Sequence, residues 1–262
     1  DALKELTVKN STAGTVAVTT AVETLNLNLD NKSAGALKLT DAKLKTLNVD
    51  ASGKKSTVDF DTTSTILETL NISGNAELIL AANSTVITDS NVKEINVTNT
   101  KGVTITTNAL RNDVKFTGGT GADSVVLGTT TKAIAMGAGD DTVKYGGALL
   151  TGGSVDAGAD RDTIIMTGNQ ANAINTSLDN KFNTTFFNFE VLEIDTNLPA
   201  ALATIDTRKI NNVSQVTVAA GLTTNSTIKN LVDGGTVKFT ADQTGSLNVD
   251  IFEPHTSTAS VL

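Results

Sequence analysis

The chain of 262 residues contains no cysteine and no tryptophan, and it has a single histidine, a single tyrosine and two prolines. Without thiols, neither a disulfide framework nor a thiolate metal site is available. With His255 as the only imidazole, zinc chemistry of the H-E-x-x-H type and a locally supported Ser-His-Asp triad are both missing, and G-x-S-x-G does not occur. His255 reads as an exposed tail residue. Aromatic residues are only 3% of the chain, so a polysaccharide-cleaving cleft on a β-helix would lack its stacking groups. Positive charge is also short. Twenty Lys and Arg against 28 Asp and Glu leave a net charge of −8 and a pI near 4.7, where nucleic acid requires a basic stripe. No apolar run approaches the length of a membrane span, and no stretch reads as a signal peptide. No catalytic residue is assigned, and the chain reads as non-enzymatic.

What the chain does contain is Thr, Asn and Gly in a repeating texture. The unit apolar-x-x-apolar-x-apolar appears as Leu3-Lys4-Glu5-Leu6-Thr7-Val8, Val22-Glu23-Thr24-Leu25-Asn26-Leu27 and Leu44-Lys45-Thr46-Leu47-Asn48-Val49. It returns as Leu67-Glu68-Thr69-Leu70-Asn71-Ile72 and Val92-Lys93-Glu94-Ile95-Asn96-Val97, with starts separated by 19, 22, 23 and 25 residues. Between these lies a second alternating run, as in Ala36-Leu37-Lys38-Leu39 and Thr57-Val58-Asp59-Phe60. Period-two alternation with Gly, Asn, Ser and Asp punctuation predicts strands and turns. Two strands per unit, repeated five times, predict a parallel β-solenoid in which each coil shields the next. Leucine-rich repeats share the spelling, but the intervening segments carry no helical period. The recurring Asn26, Asn48, Asn71 and Asn96 read as an ordinary solvated face.

A different pattern follows. Gly118-Gly119-Thr120-Gly121-Ala122-Asp123-Ser124-Val125-Val126 is a complete match to G-G-x-G-x-D-x-U-x, where U is a large apolar residue. A second copy, lacking only its first Gly, is Met136-Gly137-Ala138-Gly139-Asp140-Asp141-Thr142-Val143-Lys144, and a poorer third is Ala157-Gly158-Ala159-Asp160-Arg161-Asp162-Thr163-Ile164-Ile165. This is the calcium-binding nonapeptide of RTX proteins. Glycines leave carbonyl oxygens unshielded in a tight turn, Asp adds a charged oxygen, and Ca²⁺ takes six to eight such ligands. The expected metal residues are therefore Gly119, Gly121, Asp123, Gly137, Gly139, Asp141, Asp160 and Asp162. Asp123 and Asp141 are 18 residues apart, the length of one coil of a β-roll built from two nonapeptides. The intervening residues 127–135 have no Asp, so the opposite edge should be calcium-poor. The gap from Asp141 to Asp162 is 21, an excess that the Gly-rich loop 146–153 can absorb.

Three regions result: β-solenoid repeats over 1–116, an RTX-like calcium β-roll over 117–167, and a β-rich continuation or cap over 168–262. In the last, residues 168–180 read as partly helical, and Phe182, Phe186, Phe187 and Phe189 read as a hydrophobic plug under a loop. Residues 189–194 restate the solenoid unit, residues 199–209 read as a short helix opened by Pro199, and four strands follow between 213 and 251. The chain opens at Asp1-Ala2-Leu3 and closes at Ala259-Ser260-Val261-Leu262 in mid-pattern, which predicts a piece of something longer.

The apolar-Glu-Thr-Leu-Asn-apolar phrases, the Asn188-Phe189-Glu190-Val191-Leu192-Glu193-Ile194 phrase and the nonapeptides, in a chain without Cys, resemble the RTX-type surface-layer proteins of Gram-negative bacteria. That resemblance implies type I secretion, calcium-triggered folding outside the cell, and self-assembly with lattice neighbours on the cell surface. It also implies outer-membrane lipopolysaccharide as a partner, through a part not in this chain. A stalk fragment of an RTX adhesin is the alternative. The excess of acid over base further leads us to expect additional calcium between subunits.

Overall fold

The structure is a computed structural model that describes residues 2–12, 14–33, 35–62, 66–146, 152–196, 204–220, 222 and 224–252. It is all-β, with about 45% strand and 9% helix, and its parallel sheets form a β-solenoid. Two units divide the chain: 1–164 with 185–188, and 165–184 with 189–262.

In the first unit the chain alternates between two parallel sheets. One runs through Glu5–Lys9, Thr24–Asp30, Thr46–Ala51, Thr69–Gly74, Glu94–Val97, Lys115–Thr117, Ala133–Ala135, Ser154–Asp156 and Phe186–Phe187. The other runs through Val16–Thr19, Ala36–Thr40, Ser56–Thr62, Leu78–Leu80, Val103–Leu110, Ser124–Leu127 and Thr142–Lys144. Alternation along each strand sends Leu25, Leu27, Leu47, Val49, Leu70 and Ile72 inward from the first sheet, all essentially inaccessible. Leu37, Leu39, Val58, Phe60, Leu78 and Leu80 fill the interior from the second. Each such side chain contributes roughly 1.5–3 kcal/mol by leaving water. The leading apolar residue of each phrase, Val22, Leu44, Leu67 or Val92, is buried just ahead of its strand. That third buried position explains why the repeat is spelled apolar-x-x-apolar-x-apolar rather than as simple alternation.

The register is in phase through most of the repeat, with Leu25 opposite Leu47, Leu47 opposite Leu70 and Leu70 opposite Ile95. The first coil departs from the phrase alignment. Leu6 lies opposite Leu27 rather than Leu25, a slip of two residues that keeps the apolar side chains on the same face. Longer coils give way to shorter ones at a register shift between Ile105 and Ala109. Across it the separation of paired residues falls from 20 (Thr104 and Ser124) to 17 (Ala109 and Val126).

One outward feature corrects the sequence reading. Asn26, Asn48, Asn71 and Asn96 are not simply solvated; they form a side-chain ladder. Asn48 Nδ2 donates to Asn26 Oδ1 (2.8 Å), Asn71 Nδ2 to Asn48 Oδ1 (2.9 Å), and Asn96 Nδ2 to Asn71 Oδ1 (3.0 Å). An amide carries both donor and acceptor, so a column of identical Asn at the inter-strand spacing satisfies itself.

In the second unit, Val191–Ile194, Gln215–Val218 and Thr236–Phe239 form one parallel sheet, and Thr204–Asp206, Ser226–Leu231 and Leu247–Ile251 form another. Gly168–Thr176 is an α-helix started by a reciprocal capping box between Thr167 and Gln170, so the expected helical character of 168–180 is present. The helix expected over 199–209 lies in part outside the described residues, at 199–203; the described remainder, 204–209, is not α-helical but contains the strand Thr204–Asp206 and the 3₁₀ turn Thr207–Lys209. The Phe plug also needs correction. Phe186–Phe187 is a strand of the first unit, with Phe186 opposite Val155 and edge-on to Tyr145 at 5.2 Å. His255 lies outside the described residues. Among the described residues, no helix is long and apolar enough to cross a membrane.

Asn71 both donates to and accepts from its neighbours in the ladder, so Asn71→Ala should lower the unfolding free energy by about 1–2 kcal/mol. Thr24→Ala, on the same outer face but outside the column, serves as the comparison in urea denaturation. Equal effects of the two substitutions would remove any special weight from the ladder.

Candidate metal centre

The three nonapeptides fall on successive coils at one corner, where the chain enters the second sheet. Pairing of Thr104 with Ser124, and of Ser124 with Thr142, aligns Val103, Asp123 and Asp141 in one column. One coil earlier the same column holds Leu78, opposite Val103. The aspartates thus take an inward position that the preceding coils give to buried aliphatic residues. Accordingly Asp123 and Asp141 are each 1% exposed and Asp162 is 0% exposed.

Backbone N–H groups hold this column together. Val103 N–H donates to Asp123 Oδ1 (2.7 Å), Asp123 N–H to Asp141 Oδ1 (2.6 Å), and Asp141 N–H to Asp162 Oδ1 (2.8 Å). The third copy is therefore in register despite its longer gap. Part of the loop expected to absorb that excess, residues 147–151, lies outside the described residues. The second carboxylate oxygens tell a different story. Asp123 Oδ2 and Asp141 Oδ2 are buried without a hydrogen-bond partner. A buried carboxylate oxygen left unsatisfied is costly, and burial of its charge more so.

Glycines make the room around these oxygens. Gly137 and Gly139 both have φ of 108°, a region that side chains rarely adopt. A Cβ on Gly137 would stand 2.3 Å from Gly119 O, and one on Gly118 would stand 2.7 Å from Asp123 Oδ2. Gly119 O accepts from Ala138 N–H (2.8 Å) and Gly137 O from Ala159 N–H (2.9 Å), which locks the turns one on another. Gly121 packs against the backbone of Gly102, where a Cβ would lie 2.2 Å from the Gly102 nitrogen. Asp160 stands apart from the other predicted ligands. It replaces the Gly of the earlier copies yet keeps a positive φ of 85°, and its exposed carboxylate accepts from Gly139 N–H (3.0 Å). It does not join the buried column.

Burial dominates the electrostatics. It pushes the Asp123 carboxyl up to about 6, while the N–H groups of Val103 and Gly119 pull the other way. Burial likewise pushes Asp141 up to about 8, eased by the Asp123 N–H and reinforced by the charges of Asp123, Asp162 and Asp140. The corner thus stacks carboxyl groups that resist ionising beside one another. A hard cation is the species that would relieve them, and the donor set, all oxygen, suits calcium. Among the described residues no three His, Cys, Asp or Glu side chains gather as a metal cluster, so backbone carbonyls of the glycine turns would have to complete the shell. The residues present fit the ion on those terms.

No family model matches the chain, and no curated protein is significantly similar to it.

Sequence spacing found the column but not its depth. The signal was available in the register, because Asp123 continues the position of Leu78 and Val103. A second cluster went unread: Lys93, Lys115 and Lys132 recur once per coil, and with Glu94 and Asp113 they line a groove of about 410 Å³.

The raised carboxyl values fix the pH dependence of the calcium-free chain. A folded-state value above the ordinary 3.8 means that the stabilisation is complete below 3.8 and is lost as pH rises through about 6 for Asp123 and about 8 for Asp141. In chelator, stability should therefore fall between about pH 4 and pH 8, by an amount on the order of 3 kcal/mol for Asp123 alone. Asp30, Asp113 and Asp179, held low chiefly by Lys9, Lys93 and Ser177, act below that window. Urea denaturation at both pH values tests this; stability that is flat or rises with pH would contradict it. Asp141→Asn, which keeps the shape and removes the charge, should flatten most of the slope.

Proposed function

We propose that the chain is a structural protein of a bacterial surface layer, secreted unfolded, folded by calcium outside the cell, and assembled with copies of itself into a two-dimensional lattice. The observation that carries this reading is the buried aspartate column, whose uncommitted oxygens make the folded state costly at neutral pH until a cation arrives. Calcium, when bound, supplies the positive charge and the flexible oxygen coordination that this corner lacks. Everything else belongs to the chain. Asp123 and Asp141 hold a charge that only the folded coils bring together, and the glycine turns keep the space around it clear.

A ligand that binds the folded state and hardly the unfolded one stabilises by mass action. In a cytosol poor in calcium, the cost of burying these carboxyl groups, whether ionised or forced to keep a proton, opposes folding and the chain stays competent for export. In millimolar calcium outside, the same residues favour it. A stack of parallel coils, each shielding the next, is compatible with a load-bearing tile. The resemblance to RTX surface-layer proteins in the nonapeptides and the Leu-Asn phrases points the same way. Localisation at the cell surface and export by a type I system belong to this proposal.

Calcium titration of the purified chain, followed by circular dichroism, light scattering and electron microscopy, tests it. Millimolar Ca²⁺ is expected to fold the chain and yield ordered sheets. Asp123→Ala and Asp141→Ala should each weaken calcium binding, read by calorimetry on the folded variant, by about tenfold or more, the scale of a lost charged ligand. A chain that folds with calcium but stays monomeric at high concentration would fit the adhesin stalk instead. A fold indifferent to calcium and to chelator would end the calcium reading altogether.

A further inference from the structure

The groove lined by Lys93, Glu94, Asp113, Lys115 and Lys132 lies on the first unit, outside the aspartate corner. Its volume of about 410 Å³ falls within the range of small-molecule sites. The lining groups differ in what they have left to offer. Asp113 is saturated: Lys93 Nζ donates to its Oδ2 (2.5 Å) and Arg111 Nη2 to its Oδ1 (2.6 Å). Lys93 Nζ also donates to the Ser90 carbonyl (2.9 Å), and Arg111 Nη1 to the Asp89 carbonyl. That network fixes one wall.

The other groups are uncommitted. Lys115 is the register partner of Glu94, yet the two form no ion pair, and among the described residues neither Lys115 nor Lys132 nor Glu94 has an ion-pair partner. Lys115 and the residue after Lys132 sit on adjacent strands, since Phe116 is opposite Ile134. Lys115 is thus opposite Ala133, and Lys132 lies one residue before that position on the adjacent coil. Three lysines against Glu94 and Asp113 make the groove locally cationic in a chain whose net charge is −8.

From these groups we propose that the groove binds an acidic oligosaccharide, one that carries a carboxylate and free hydroxyls on neighbouring rings. Lys115 and Lys132 supply charge-assisted donors to the carboxylate. Glu94, which would repel a polyphosphate or any densely anionic ligand, accepts from a sugar hydroxyl. The aliphatic stems of the lysines provide the apolar floor that long cationic side chains offer while their heads stay in water. The proposal is independent of the calcium corner and of lattice assembly.

The test is calorimetric titration of the folded chain, with and without calcium, with a hyaluronan tetrasaccharide, which carries one carboxylate per disaccharide, against its carboxyl-reduced form and inorganic phosphate. Saturable binding of the tetrasaccharide is expected, weakened about tenfold in Lys115→Gln/Lys132→Gln and about equally by carboxyl reduction. Glu94→Gln should weaken it less, and Lys238→Gln, on the second unit, should leave it unchanged. Circular dichroism verifies that each variant folds. Absent binding at millimolar ligand, unchanged affinity in the double variant, or phosphate binding as tightly as the saccharide would each overturn the proposal. So would a double variant that loses self-association while titrating normally with saccharide, because the groove would then be a contact between copies.

Discussion

In a parallel solenoid every residue stands beside its counterpart on the next coil, at the 4.7–4.9 Å spacing that backbone hydrogen bonding imposes. Like must therefore tolerate like, and the consequences differ by side chain. Stacked Leu, Val and Ile gain by it, since each coil shields the next from water. Stacked Asn gains as well, because the amide is its own complement, and the column from Asn26 to Asn96 uses that on the outer face. Stacked Asp loses. Two ionised carboxylates at such a spacing repel by on the order of 3 kcal/mol even at an effective dielectric of about 20.

The aspartate corner is where this rule is broken inside the core. Coils with Leu78 and Val103 in the inward column give way to coils with Asp123, Asp141 and Asp162 in the same place. Backbone N–H groups satisfy one oxygen of each, which orients the carboxylates without neutralising them. Buried groups that violate the local rule of a fold are the places where function is to be sought. On the proposed reading, the violation makes the favour of the stack depend on a bound cation, which is the property that folding only after export requires.

Much of this was legible in the residues alone. Period-two alternation and the spacing of the Leu-Asn phrases marked the strands of the first five coils, because burial on one face leaves that imprint directly. The 18-residue step from Asp123 to Asp141 marked one coil of the roll. What the sequence left open was register and depth. Alternation says which face a residue takes, not what it meets, so the Asn column looked like ordinary solvent-facing surface, and the two-residue slip of Leu6 against Leu27 left no trace in the pattern. The burial of Asp123 became clear only when pairing placed it in line with Val103. The Phe-rich segment misled for a related reason: Phe186 is buried as a strand residue opposite Val155, and composition alone did not separate that from a plug. Asp160 shows the limit of motif reading. It fits the spelling of the third copy, yet its exposed carboxylate turns to the Gly139 N–H instead of the column.

The central claim is that the Asp123–Asp141 column is a cation site. The most direct measurement is a crystal structure grown in millimolar calcium, or with a lanthanide in its place, using anomalous scattering to locate the ion. The account predicts a peak at the corner about 2.3–2.6 Å from Asp123 Oδ2 and Asp141 Oδ2, with glycine-turn carbonyls completing the shell. Ordered carboxylates at that corner with no anomalous peak, in crystals that show the ion elsewhere, would contradict it.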